Sequence, residues 1–188
     1  MSREVKRCQW VSNDPVYIEY HDNEWGVPVY NDDKIFEALL LEIFQSGLSW
    51  ITILKKRAEF YKSFDRFNYK KISNYSEKKL KELEENKGII RHKLKIKSAK
   101  TNAIAFIKIQ NEFGSFSNYI WEFVNKSPIK NSFKKIKEIP SKSELSEKIH
   151  QDLKNRGFKF VGSITIYSFM QAVGIVNDHT IDCFRYNK

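Results

Sequence analysis

Two cysteines and four histidines are the side chains best suited to hold a metal. Each cysteine has a histidine near it: Cys8 with His21 towards one end, Cys183 with His179 towards the other. In "NDHTIDC", His179 and Cys183 stand at i and i+4, on one helix face or within one turn of irregular chain. Two thiolates and two imidazoles are an ordinary tetrahedral zinc set. The pairs lie far apart in sequence. Two buried cysteines beside two internally bonded histidines would read the same way, so spacing leaves both open. Of the other histidines, His92 falls in a basic turn, within reach of a phosphate. His150 falls on the exposed side of an amphipathic helix, with no specific task.

A second set of residues surrounds one acid. In "DDKIFEALLLEIFQSG", apolar residues at 35, 36, 39, 40 and 43 form a helix stripe, opened by Asp32 and Asp33 and closed by Gly47. At about 100° per residue the stripe covers roughly 140° from Ile35, and Glu42 falls about 20° outside its edge. Glu42 with Tyr17, Tyr20 and Trp50 would make an aromatic box carrying one negative charge. Such a box suits a flat cation, through stacking, cation–π attraction and a charge-assisted hydrogen bond. The same pattern would arise if Glu42 were a surface residue and the aromatics filled a core.

The elements that must position these residues read as helices. Ser49 opens one carrying Trp50, Ile53, Leu54, Phe60 and Tyr61. Ser76 opens another, stopped by Gly88, and a long one runs from about Arg91 to Phe113. "SNYIWEFVNK" is a short helix. "SKSELSEKIHQDLKNRG" is a helix capped by Ser141 or Ser143 and stopped by Gly157. "VGSITIYSFMQAVG" is a buried helix, with Ile164 to Tyr167 able to pass for a strand. Residues Lys126 to Ser141 look most like a linker. "LEENKGIIRHKLKIKSAK" reads as helix, short turn, helix, with Gly88 free to take positive φ. From Lys87 to Lys100 there are six basic residues and no acid. A helix N-terminus after such a turn offers N–H groups and a positive dipole end to a phosphate, although a wet basic face on an ordinary hairpin reads alike.

The charge is unevenly spread. The net charge is +10 over 188 residues. From Lys55 to Lys108 there are 17 basic residues against 6 acidic; from Cys8 to Glu42 there are 8 acids and one base, Lys34. One half suits a polyanion; the other carries surplus negative charge, wasteful on a DNA-binding protein unless something cationic is held there. At 41% hydrophobic and 14% aromatic the chain can bury a core. No apolar run approaches the roughly 18 residues of a membrane span, and "MSREVKRCQW" has no signal-peptide apolar stretch. A soluble cytoplasmic protein with reduced cysteines is expected.

Five blocks, "RCQWVSNDPVYIEYHDNEWGVP", "GLSWITILKKR", "GIIRHKLKI", "GFKFVGSITIYSFMQAVGIVNDH" and "DCFRY", resemble the DNA-3-methyladenine glycosylase I family, in order, from about Arg7 to Tyr186. The resemblance implies an all-α helix–hairpin–helix glycosylase fold: one unit over residues 1–188, a helical hairpin over about 76–113, and N-terminal (about 1–31) and C-terminal (about 160–188) segments joined by one structural zinc ion. It implies Cys8, His21, His179 and Cys183 as the zinc ligands and Glu42 as the base-recognising acid. Tyr17, Tyr20 and Trp50 would stack on the base, with Trp10 and Trp25 nearby. Gln45, Gly47 and Leu48 belong to the loop that probes the duplex, Leu48 as its wedge. Gly88, Arg91, His92 and Lys93 belong to the DNA-gripping turn.

The implied reaction is hydrolysis of the N-glycosidic bond of N3-methyladenine in double-stranded alkylated DNA by a monomer, releasing free 3-methyladenine. "EIFQSG" and residues Asn111 to Ser143 depart from the family pattern, which leaves Ile43 and Phe44 without a role, and no aspartate is found to support the sugar cation. The alternatives are a non-enzymatic helical DNA-binding module and a glycosylase for another alkylated base. A combined glycosylase and lyase would need a pocket lysine, and neither Tyr17 to Trp25 nor Glu42 to Trp50 contains one.

Overall fold

The structure, a computed structural model, describes residues 5–187; residues 1–4 and 188, the outer ends of the expected unit, lie outside them. Among the described residues nine α-helices follow in order: α1 (Pro15–Asn23), α2 (Asp32–Gln45), α3 (Trp50–Ser63), α4 (Tyr69–Ile72), α5 (Glu77–Glu85), α6 (Lys93–Phe113), α7 (Phe116–Glu122), α8 (Glu144–Asn155) and α9 (Ser163–Ala172). The fold is mostly helical, as expected. The one exception to an all-α reading is a two-residue parallel pair, β1 (Ile129–Lys130) with β2 (Val176–Asn177).

Helix α2 is the centre of the fold. It packs against α3, α6, α7 and α9, and every residue from Leu39 to Phe44 is buried. The stripe expected from periodicity is therefore too narrow: Leu41 and Phe44 are inside as well, because helices cover α2 on several sides. Ile43 and Phe44, without a role in the sequence, are core residues; Phe44 packs its ring 4.8 Å from that of Phe60. The N-cap is Asn31, whose Oδ1 accepts from Lys34 N. Asp32 is turned outward from its own helix: it accepts from the backbone N–H groups of Phe116 and Ser117 at 2.9 and 2.8 Å and so caps α7.

Helices α5 and α6 pack together across a turn strapped to α3. Asn86 Oδ1 accepts from Gly88 N, Asn86 Nδ2 donates to Ser63 Oγ, and Lys56 Nζ donates to Gly88 O. Gly88 does not take positive φ. Glycine is required there because a Cβ would collide with Glu59. Nor is its N–H open to a phosphate, since Asn86 already uses it. Helix α6 begins at Lys93 rather than Arg91, with His92 as N-cap accepting from Lys95 N through Nδ1.

Two further expectations change. His150 is half-buried, and its Nδ1 bonds the Val161 carbonyl at 2.7 Å, tying α8 to the approach of α9. The linker-like stretch from Lys126 to Ser141 carries β1 and a 3₁₀ turn (Ile136–Glu138); it is tied to the body by the pairing of β1 with β2 and by Ile139, which packs against the core. "VGSITIYSFMQAVG" is helix α9, not a strand, and Ser143 rather than Ser141 caps α8.

Gly174 separates steric from backbone effects. It has φ +70°, and a Cβ there would strike the backbone of Val27 and Pro28. Gly157 has φ +94° with nothing within 4 Å. Gly174→Ala should cost about 3 kcal/mol or more, overpacking added to strain, and Gly157→Ala about 1 kcal/mol. Urea denaturation of the two variants measures the difference, and equal losses would contradict this packing.

Candidate functional site

The two ends of the described chain meet in one buried cluster. Cys8, His21, His179 and Cys183 are all buried, and their donor atoms lie within 4.8 Å of one another. Cys8 Sγ is 3.5 Å from His179 Nδ1, and Cys183 Sγ is 3.5 Å from both His21 Nε2 and His179 Nδ1. A tetrahedral site with Zn–S of about 2.3 Å and Zn–N of about 2.0–2.1 Å has S···N edges of roughly 3.5 Å. The donor set therefore fits a tetrahedral ion. The outward nitrogen of each imidazole is also engaged. His21 Nδ1 faces Asp22 Oδ1 at 2.7 Å, and Asp22 is gripped by Arg7; His179 Nε2 faces the Trp25 carbonyl at 3.0 Å. Both tautomers are thus set so that the lone pair points into the cluster. The Cys183 thiol is driven well below its usual range, chiefly by the adjacent Cys8 thiol and, beyond that, by the two imidazoles, against the effect of burial. The same contact, with burial, pushes the Cys8 thiol up, so the pair shares one proton: a dication there would meet the Cys183 thiolate and would have to displace the proton of Cys8.

The cluster is also the frame of an aromatic pocket. Trp10 follows two residues after Cys8, and its ring lies 5.2 Å from His21, 5.1 Å from Tyr17 and 5.0 Å from Trp25. Trp25 meets the His179 ring at 4.6 Å and 84°, edge to face. Tyr20 and Trp50 pair at 5.2 Å. These five rings, with Glu42 and Gln45, line one cavity of about 290 Å³, at the lower edge of the roughly 300–1,000 Å³ of small-molecule pockets. A single flat heterocycle fits such a space. Ile136 and Ile139, from the stretch read as a linker, and Ser168 and Gln171, from α9, complete its wall. Those four were missed because nothing in their local spacing marks them; only the tertiary fold brings them to the pocket.

Glu42 is the one carboxylate in the wall. It is 4% exposed and has no hydrogen-bond partner among the described residues. Burial pushes its pKa up to about 8. Tyr20 is raised by its own burial and then by Glu42, so it keeps its phenolic proton. A buried acid without an internal partner is a poor structural residue and a good receptor for a charge or a donor from outside.

The sequence-derived DNA residues divide into two places. Gln45 ends α2 at the pocket mouth, and Gly47 and Leu48 follow it. Gln45 Nε2 donates to Leu48 O at 2.6 Å, Gly47 takes φ +87°, and Leu48 is 40% exposed. Gln45 thus both lines the pocket and shapes the loop. Arg91, His92 and Lys93 lie exposed at the start of α6, with Lys93 only loosely paired to Glu84 at 3.9 Å. His92 has already committed one ring nitrogen to its own helix.

Comparisons with known proteins cover almost the whole chain. The sequence profile of the family described as methyladenine glycosylase matches residues 10–186. The chain is 44% identical over 182 residues to the DNA-3-methyladenine glycosylase 1 of Escherichia coli K12, covering 97% of each. It is 42% identical over 177 residues to the DNA-3-methyladenine glycosylase of Haemophilus influenzae, covering 94% of this chain and 96% of that one. Among solved structures, the 3-methyladenine DNA glycosylase I of Staphylococcus aureus superposes with a TM-score of 0.93 at 33% identity, covering 97% of each chain. A 3-methyladenine DNA glycosylase I in complex with 3-methyladenine superposes with a TM-score of 0.94 at 32% identity, covering 97% of this chain and 98% of that one.

The Glu42 geometry fixes a pH signature of stability. The folded protein holds this proton more tightly than the unfolded chain, between the ordinary value of 4.5 and about 8. Relative to Glu42→Gln, the wild type should therefore lose stability as pH rises through that window and level off above it. At about 1.4 kcal/mol per unit the ceiling is about 5 kcal/mol. Urea denaturation of both proteins at pH 5 and pH 8.5 measures it; a constant difference would place Glu42 in water.

Proposed function

The chain belongs to the methyladenine glycosylase family, and from that premise we infer that it is a DNA repair enzyme that excises 3-methyladenine from alkylated DNA. The observation that carries this reading is Glu42, a buried and unpartnered acid among aromatic faces, in a chain that shares nearly its full length with 3-methyladenine glycosylases. The reaction is hydrolysis of the N-glycosidic bond. An adenine methylated at N3 while still joined to sugar at N9 carries a fixed positive charge. That charge weakens the glycosidic bond and makes the base a good leaving group.

The pocket acts on that charge. The lesion is turned out of the stack, at an unstacking cost of a few kcal/mol, and slides between the faces of Trp50, Tyr20 and Tyr17, with Trp10 and Trp25 behind. The Glu42 carboxylate accepts from the N–H edge of the base and balances its charge, a contact of roughly 1.5–3 kcal/mol. An unmodified adenine is neutral and gives the pocket no charge with which to draw the proton off Glu42, so the charge-assisted contact is missing and the base is held less tightly. Leu48, exposed on its loop, is the wedge that fills the gap in the duplex. Arg91 and Lys93 grip phosphates as a helix–hairpin–helix clamp, with the start of α6 adding its dipole. Gly88 shapes this turn from inside, and His92 serves it as cap. Water attacks the sugar from the open side, and no side chain is assigned as its base.

Cys8, His21, His179 and Cys183 would hold a zinc ion; with four protein donors its role would be structural, tying residue 8 to residue 183 and bracing Trp10 and Trp25. The protein works as a monomer on double-stranded DNA, in the cytoplasm. Among the described residues no helix is long and apolar enough to cross a membrane.

Methylated duplex incubated with the protein should yield free 3-methyladenine on chromatography, and an empty chromatogram would overturn the assignment. Glu42→Gln should lower kcat/KM about 10- to 100-fold. The wild-type kcat/KM should rise with pH up to about 8 as the free Glu42 ionises, and the variant should lack that limb. For the metal, elemental analysis should find about one zinc per chain. Cys183→Ser and His21→Ala should lose it together with several kcal/mol of stability.

A further inference from the structure

Among the described residues Lys95 is the one buried lysine, 6% exposed, and none of the chemistry above uses it. It stands in the first turn of α6, the positive end of that helix, beside the exposed Lys93, with no acid in the turn. Locally this is a bad place for a buried cation. The compensation comes from another element. Lys95 Nζ donates to the carbonyl oxygens of Ser46 at 2.8 Å and Phe44 at 3.3 Å. These are the last carbonyls of α2, and α2 has no basic residue in its own last turn. A lysine from 49 residues downstream thus caps the negative end of α2.

The two ends that Lys95 joins are the two ends that meet DNA in the function proposed above, on which this inference rests. The start of α6 presents Arg91 and Lys93. The end of α2 leads straight into Gly47 and Leu48, and Glu42 lies one turn back on the same helix. Ser46, bonded to Lys95, is the C-cap from which the loop departs. Gln45 then fixes the loop to itself through Leu48 O. No hydrogen bond or ion pair of Lys95 to the pocket wall competes with this role.

We propose that Lys95 is a positioning residue that holds the wedge loop in register with the phosphate grip, so that Leu48 enters the duplex at the nucleotide whose backbone is clamped. Pushing a side chain into stacked bases drives the loop back towards the protein. The lysine anchors the base of the loop against that recoil without touching either the base or the DNA. Its removal should spare the grip and the pocket and impair only the opening of a paired stack.

The test uses Lys95→Met, which keeps the stem and removes the ammonium, with Lys95→Gln, whose amide can still donate to one carbonyl, as the conservative partner. Three quantities are read: affinity for undamaged duplex with its salt slope, binding of free 3-methyladenine by tryptophan fluorescence, and single-turnover release of 3-methyladenine from one methylated strand, either annealed or left single. Lys95→Met should leave the first two within about twofold of wild type. It should lower release from the annealed strand roughly 10- to 100-fold and from the single strand less than about threefold, because an unpaired base needs little unstacking. Lys95→Gln should fall between. Equal loss on both substrates, an annealed-strand loss under twofold, or a parallel fall in free-base binding would each overturn the proposal, as would failure of both variants to fold. Wild-type protein that releases no 3-methyladenine from either substrate would instead bring down the functional reading itself.

Discussion

The structure depends on a meeting of distant donors. Cys8 and His179, 171 residues apart in sequence, face each other at 3.5 Å, and His21 and Cys183 close the same cluster. Four groups that each prefer water or a proton are gathered out of solvent with their lone pairs converging. Such an arrangement is stable when a cation occupies the centre and poor otherwise. The pocket inherits its shape from it. Trp10 is two residues from a cluster cysteine, Trp25 gives its carbonyl to a cluster histidine, and α1 carries Tyr17 and Tyr20 on the same turn as His21. Trp10, Trp25 and Tyr20 are each pinned to the cluster through one or two covalent or hydrogen-bonded steps.

The acid in the pocket shows how stability is spent on binding. Glu42 could have been a leucine in a helix whose every neighbour from Leu39 to Phe44 is inside. Instead, burial raises its pKa to about 8, and none of the described residues offers it a hydrogen bond. The surrounding core must be large enough to carry that cost. The close aromatic packing of Phe44 on Phe60 and of Phe36 on Phe106 belongs to such a core. The separation is spatial: the apolar side of α2 holds the fold, and two polar positions on the same helix, Glu42 and Gln45, face the cavity.

Much of this was legible in the residues alone. The Cys/His pairs, the acid beside a helix stripe and the aromatics around His21 are dense local signals, and the fold brings them together as spacing and resemblance suggested. What escaped the sequence has a common physical cause. The pocket wall from Ile136 and Ile139 and the back wall from Ser168 and Gln171 act through position alone, with no periodicity of their own. Gly88 looked like a residue chosen for its φ and is instead chosen for the absence of a Cβ against Glu59. His150 looked exposed on its helix and is bonded to Val161 O. Lys95 looked like one more cation in a basic run, and only its partners on α2 distinguish it. The helix stripe was read too narrowly because periodicity reports one buried face, while α2 has helices around it.

The union of residues 8 and 183 also governs when the protein can come into being. Its first two donors and most of its aromatic rings are synthesised early, yet His21 waits for a partner 162 positions later. At roughly 5–20 residues per second of synthesis, that interval is on the order of ten seconds or more. During it the donor set is incomplete and the pocket that it frames is unfinished. Such long-range closure slows folding. It also means that an interrupted or shortened chain lacking the last pair of donors has no braced cavity to offer. A half-made copy would have no finished pocket with which to act on the chromosome.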